Sequence, residues 1–308
     1  MSKIQEALKK IQAGRSTGTQ SEMDAGSITQ QLATIRNRSA DKDSPAFDPD
    51  ETVTLSERIV QFDDDALREA GLLAPATDEE ALAAEYRNLK RPLLGHAFGK
   101  RATQIPDGHL IMVTSSFPGE GKTFTCINLS LSMAQEQDTS VLLVDADLAK
   151  PHITLLFGVQ DEFGLLDVLD GTVPGLSSVI LDTSIPGLKI LPAGRPRENA
   201  TELLASRRME EIVSELGQGA RDRIVLFDSP PLLLTSEAKV LASLVGQIVM
   251  VVKAGDTPRQ AVLEGLSTLP EGKATNLILN QARVSAKGSY YGSGSKYGYG
   301  YQYGSKND

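Results

Sequence analysis

The stretch Ser116-Phe117-Pro118-Gly119-Glu120-Gly121-Lys122-Thr123 decides the fold. It follows an apolar run at 110–115 that reads as a strand, and it opens an amphipathic segment near 121–136 that reads as a helix. Strand, glycine-bearing turn and helix start, in that order, make a phosphate-binding loop. Backbone amides and the helix N-terminus face the anion, and the glycines let the main chain approach it closely. On this reading Pro118, Gly119, Glu120, Gly121, Lys122, Thr123 and Phe124 surround a nucleotide. Lys122 reaches the β- and γ-phosphates, and the Thr123 hydroxyl takes a Mg²⁺ coordination site. Ser116 stands where G-x-x-x-x-G-K-[ST] has its first glycine, so the loop departs from the strict pattern by one residue.

Outward from the loop, two more apolar runs end in acids. Val141-Leu142-Leu143-Val144 leads into Asp145-Ala146-Asp147, and Ile224-Val225-Leu226-Phe227 leads into Asp228-Ser229-Pro230-Pro231. A doubly wound sheet gathers its site at the carboxyl ends of its strands, and hard carboxylate oxygens suit nucleotide-bound Mg²⁺. Any one of these aspartates could simply cap a turn or a helix. All three beside a phosphate loop argue for a site.

The rest of the pattern agrees. Strands are expected at 110–115, 141–145, 188–192, 224–228, 247–253 and 275–280, and helices near 121–136, 163–169, 200–216, 235–244 and 258–268. Unbroken apolar runs suit strands covered on both faces, which predicts a doubly wound, mostly parallel α/β sheet of the P-loop NTPase type over residues 77–284. Thr77 and Glu80 are spaced as a capping box ahead of Leu82, Tyr86, Leu89 and Leu93, with Pro92 expected to end or kink that helix. Residues 1–76 read as a short helix at 2–13 and a mostly flexible linker, with helical candidates at 28–37 and 64–71. Residues 285–308 read as a mobile tail, and six of the seven tyrosines lie there: Tyr290, Tyr291, Tyr297, Tyr299, Tyr301 and Tyr303.

Composition removes several alternatives. The 308 residues carry a net charge of -9, which argues against nucleic-acid binding through a basic surface. One cysteine, Cys126, excludes an intramolecular disulfide and suits a reducing compartment. His96, His109 and His152 have no metal-ligand spacing. No apolar run approaches the roughly 20 residues that span a bilayer, and the first residues lack a secretory apolar core. The expected location is therefore cytoplasmic. Cys126 reads as a small buried residue, His109 and His152 as structural, and Tyr86 as packed in its helix.

These motifs together resemble the bacterial tyrosine kinases of polysaccharide export. The Ser116–Thr123 loop resembles that family's Walker A element. Leu143-Val144-Asp145-Ala146-Asp147-Leu148 with Lys150-Pro151 resembles Walker A′, and Phe227-Asp228-Ser229-Pro230-Pro231 resembles Walker B. The likeness continues through Gly164-Leu165-Leu166-Asp167-Val168-Leu169, Leu191-Pro192-Ala193-Gly194 and Glu202-Leu203-Leu204-Ala205-Ser206, and the tail resembles a phosphorylated tyrosine cluster. The N-terminal helix and residues 62–73 look most like the exosortase-linked exopolysaccharide subgroup.

The resemblance implies ATP and Mg²⁺ as cofactors and Lys122, Asp145, Asp147 and Asp228 as the catalytic set. Thr123, Asp145 and Asp228 are implied metal ligands, and one of the Walker A′ pair could accept the substrate hydroxyl proton. The six tail tyrosines are implied phosphoacceptors, modified in trans within a homo-oligomer. Implied partners are a separate membrane-embedded chain-length or activator protein, which holds the kinase at the inner face of the membrane, and a cognate phosphotyrosine phosphatase. Two features depart from the family. The assembly motif Glu-x-x-Arg-x-x-Arg falls on Ala84-Glu85-Tyr86-Arg87-Asn88-Leu89-Lys90, and Ala149 stands where an arginine is common. The competing class is a partitioning or cell-division switch ATPase. The signature lysine of that class is absent from 115–119, and a tyrosine-rich tail is foreign to it.

Overall fold

The computed structural model describes residues 59–62, 72, 80–99, 104–218 and 222–282. Helix α1 (Glu80–Phe98) leads to strand β1 (Leu110–Ser115), helix α2 (Lys122–Ala134) and β2 (Ser140–Asp145). Two short helices follow, α3 (His152–Leu156) and α4 (Leu165–Leu169), then β3 (Leu181–Asp182) and β4 (Leu188–Leu191). Helices α5 (Ala200–Leu204) and α6 (Arg207–Gly217) precede β5 (Arg223–Asp228). The chain closes through α7 (Glu237–Leu244), β6 (Gln247–Lys253), α8 (Arg259–Ser267) and β7 (Ala274–Asn280).

The strands form one sheet in the order β3-β4-β2-β5-β1-β6-β7, parallel except for the β3–β4 pair. The expected doubly wound architecture is present. Alternate residues of each central strand feed two cores. Leu110, Met112, Leu142, Val144, Val225 and Phe227 face one side, while Ile111, Val113, Val141, Leu143, Ile224 and Leu226 face the other. Both faces are dry, which is why these strands read as unbroken apolar runs. From β1 the chain winds one way toward β5 and β2 and the other way toward β6, so the loop after β1 opens at the switch point of the sheet.

Three local features differ from the sequence expectation. The segment 200–216 is two helices, because Ser206 is extended (φ -84°, ψ 158°) and its hydroxyl accepts from the Met209 amide as an N-cap. Helix α1 does not end at Pro92, one of the two outcomes expected there, but continues to Phe98. Buried Tyr86 and Lys90 before the proline and Leu93 and Ala97 after it hold both halves against the protein. The two-residue β3 and the five-residue α3 were too short for periodicity to reveal.

Lys90 is turned inward: its ammonium donates to the Ser132 carbonyl at 2.5 Å and pairs with Glu136 at 2.7 Å, capping the end of α2. His109 Nε2 bonds the Gly217 carbonyl at 3.1 Å, a structural role. Cys126 and Tyr86 are buried as expected. Two short stretches N-terminal to residue 77 also pack on the domain. Val60 bridges to Thr183, the Phe62 ring meets Phe157 edge-on at 4.6 Å, and Leu72 is buried in the second core. The helices expected at 2–13, 28–37 and 64–71, the Thr77 cap and the tail lie outside the described residues, as does most of the segment behind the exosortase-linked assignment. Among the described residues no helix is long and apolar enough to cross a membrane.

Candidate active site

Strand β1 delivers the loop with Gly119 at φ +81° and Gly121 at φ +96°, conformations that side chains resist. A Cβ on Gly121 would also stand 2.0 Å from Asn280 Nδ2. Ser116 has no such need: it is buried at an ordinary φ, and its hydroxyl donates to the Ala261 carbonyl of α8 at 3.2 Å. The missing first glycine is thus accommodated by packing.

Glu120 holds the loop in shape. Its carboxylate accepts from the Phe117 amide at 2.8 Å and from the Thr257 hydroxyl, and its carbonyl accepts from Asn280 Nδ2 at 2.9 Å. Thr257 in turn accepts from the Lys253 amide at 3.1 Å, so the Lys253–Pro258 turn is a brace for the phosphate loop. Pro118 and Gly119 are exposed at the mouth, whereas Phe124 packs against the second core. Glu120 and Phe124 therefore spend their side chains on the protein, and what they can offer a phosphate is main chain.

Behind the loop lies a buried charge cluster. Lys122 Nζ is 2.6 Å from Asp147 Oδ2 and 3.6 Å from Asp228 Oδ1, and the Thr123 hydroxyl donates to Asp228 Oδ2 at 2.7 Å. Asp145, opposite Asp228 across the β2–β5 pair, accepts at Oδ2 from the Thr154 amide (2.8 Å) and hydroxyl (2.7 Å). All four charged candidates thus converge. Burial, reinforced by the charge of Asp228, pushes Asp145 up to about 8. Burial pushes Asp228 to about 6, moderated by Lys122. Burial alone would lower Lys122, but Asp228 and Asp147 outweigh it and its affinity for its proton rises.

The residues fit a nucleotide-bound magnesium ion. Asp145 Oδ1 and Asp228 Oδ1 are buried without hydrogen-bond partners, and with the Thr123 hydroxyl they are hard oxygen donors beside the loop. Among the described residues no three His, Cys, Asp or Glu side chains converge tightly enough to hold a metal unaided. Phosphate oxygens and water would complete the shell, as magnesium prefers.

A further ring of contacts supports this cluster. The Ala193 amide donates to Thr154 Oγ1 at 2.9 Å. Asp167 gathers the amides of Gly164 (2.9 Å) and Arg195 (3.1 Å) and the Arg197 guanidinium (2.9 Å), clamping the 192–197 loop. The stretch Lys253–Pro258 reads as a strand end, turn and helix start near the site, but spacing does not reveal what Thr257 does there, and sequence reading missed Thr154 and Asn280. Each acts across more than one element, and a lone Thr or Asn has no spacing to betray it.

This is the site of a P-loop nucleotide-binding domain, and residues 108–272 match the AAA domain family AAA_31. The chain is 33% identical over 187 residues to tyrosine-protein kinase YwqD of Bacillus subtilis, covering 59% of this chain and 77% of that protein. It is 31% identical over 182 residues to tyrosine-protein kinase Wzc of Salmonella typhimurium, where the match covers 58% of this chain and 25% of the longer relative. Its fold resembles the kinase domain of VpsO (TM-score 0.56, 31% identity, 67% of this chain and 98% of that one). It also resembles the kinase domain of Escherichia coli ETK (TM-score 0.59, 26% identity, 77% and 86%). The chain belongs to the bacterial tyrosine-protein kinase family.

Proposed function

We propose that this chain is an ATP-dependent autokinase that phosphorylates Tyr290, Tyr291, Tyr297, Tyr299, Tyr301 and Tyr303 in trans, within a homo-oligomer. It would regulate exopolysaccharide polymerisation or export at the inner face of the membrane, recruited by a membrane-embedded activator and reset by a phosphotyrosine phosphatase. The observation that carries the reading is the Lys122–Asp147–Asp228–Thr123 cluster directly behind a glycine loop. Phosphoryl transfer needs little covalent help from a protein; it needs positioning and neutralised charge. Loop amides and Lys122 supply both. Bound magnesium would add a Lewis acid on the phosphate oxygens, held by Thr123 and by Asp145 and Asp228.

When Lys122 swings from Asp147 to the phosphates, the Asp147 carboxylate loses its partner at 2.6 Å. Either Asp147, freed in this way, or its neighbour Asp145, held by Thr154, can take the proton from an attacking tyrosyl oxygen, whose pKa near 10 makes such help useful. The test incubates the protein and Lys122→Met with Mg-ATP and reads tryptic peptides by tandem mass spectrometry. Cleavage at Lys287, Lys296 and Lys306 separates Tyr290 and Tyr291 from the other four. Phosphotyrosine in the wild type alone is the expected result. Hydrolysis of ATP with every tyrosine unmodified, even with an activator's cytoplasmic segment added, would overturn the reading in favour of a switch ATPase.

A further inference from the structure

Asp145 ends β2 with no solvent exposure, and its hydrogen bonds go to one residue only. Both donors of Thr154 fall on Oδ2, and Oδ1 is left without a partner. A carboxylate at the end of a strand has several side-chain rotamers, and here the choice rests on that pair of bonds. The Thr154 hydroxyl is itself fixed. It has one proton, which it gives to Asp145, and it accepts the Ala193 amide at 2.9 Å. Ala193 belongs to the loop that Asp167 and Arg197 clamp, so the orientation of Asp145 is tied to a rigid segment of the fold.

From this we propose that Thr154 is the positioning residue of the site: it holds one oxygen of Asp145 and thereby aims the other at the bound nucleotide. The inference rests on the kinase reading for its activity test, but its structural part does not. Thr154→Val removes the hydroxyl at nearly constant volume, and Thr154→Ser restores it without the methyl.

The experiment measures tyrosine phosphorylation and ATP hydrolysis by the full chain and both variants, with crystal structures of all three. Loss of an orienting contact of this kind costs about 10- to 100-fold. Thr154→Val is therefore expected to lower kcat, and with it kcat/KM for Mg-ATP, by about tenfold or more, since Asp145 serves the bound nucleotide in the ground state as well as in the transition state. Thr154→Ser is expected to stay within about threefold of wild type, since it keeps both donors. In crystals of Thr154→Val, Asp145 is expected to leave its present rotamer. In an Asp145→Asn background, Thr154→Val should cost nothing further, as residues acting as one unit are not additive.

An unmoved Asp145 with wild-type kcat in Thr154→Val would overturn the proposal, and so would equal impairment of the Val and Ser variants. If the wild type transfers no phosphate to tyrosine, it is the kinase reading that falls. The Asp145 rotamer and the hydrolysis rates then still decide the role of Thr154.

Discussion

At the residue scale, the site stores instability that can be measured. An unfolded aspartate titrates near 4, whereas Asp145 is pushed up to about 8 and Asp228 to about 6, in both cases first by burial. Between those values the folded chain retains protons that the unfolded chain releases. Stability of the nucleotide-free protein should therefore fall as pH rises from about 4 to about 8, on the order of a few kcal/mol in all. Asp145→Asn is neutral throughout. It should melt several degrees above wild type at pH 8.5, with the gap closing toward pH 5; calorimetric melts across that range check it. A gap that is constant with pH would reject the assignment. Gly121→Ala carries the opposite expectation. It combines a φ of +96° with a collision at Asn280, so a loss of roughly 1–3 kcal/mol and weakened binding of a fluorescent ATP analogue are expected.

At the element scale, helix α1 tolerates Pro92 because tertiary contacts fix both sides of it. The proline is exposed, so Pro92→Ala should raise the melting temperature by restoring helix propensity, a gain of up to about 3 kcal/mol. Lys90→Met should do the reverse by about 1–3 kcal/mol, since the Ser132 carbonyl is left without its donor; urea melts of the two variants give the signs directly. Lys90 also shows what a sequence can convey. It stands at the last basic position of the stretch Ala84–Lys90, where the chain departs from the family's assembly motif, yet it is buried and closes α2, leaving Glu85 and Arg87 as the exposed charges of that stretch. Strands 110–115 and 247–253 were legible to the residue, since two-sided burial writes a run of apolar residues too dense for one helical face. Asp145 and Asp228 were legible because each ends such a run, and Asp147 because it follows two residues after one. Thr154, Thr257 and Asn280 were not, because their partners are 9, 137 and 160 residues away and only the folded sheet brings them together.

At the scale of the whole molecule, the question is whose active site a tail reaches. Strand β7 ends at Asn280, which is bonded to the phosphate loop of its own subunit, and Tyr290 follows ten residues later. Ten residues span at most about 35 Å, so distance alone permits transfer within one chain. Concentration must decide. Lys122→Met with its tail intact, mixed with an active chain ending at residue 284, can gain phosphate only from a neighbour. Its labelling should rise with total protein concentration; labelling of wild type that is independent of dilution would place transfer within one chain instead. Full modification then changes the molecule's charge. Six phosphates add roughly -9 to -12, about doubling a net charge of -9, and they concentrate it at one end of the chain. On the trans mechanism proposed above, tails docked in neighbouring sites should leave them on phosphorylation, and sedimentation should show the mass falling toward that of one chain. Because the repulsion is electrostatic, salt near 1 M, where the Debye length is about 3 Å, should bring the phosphorylated chains back together. Dissociation that persists in high salt would mean that phosphate blocks tyrosine docking sterically rather than by charge.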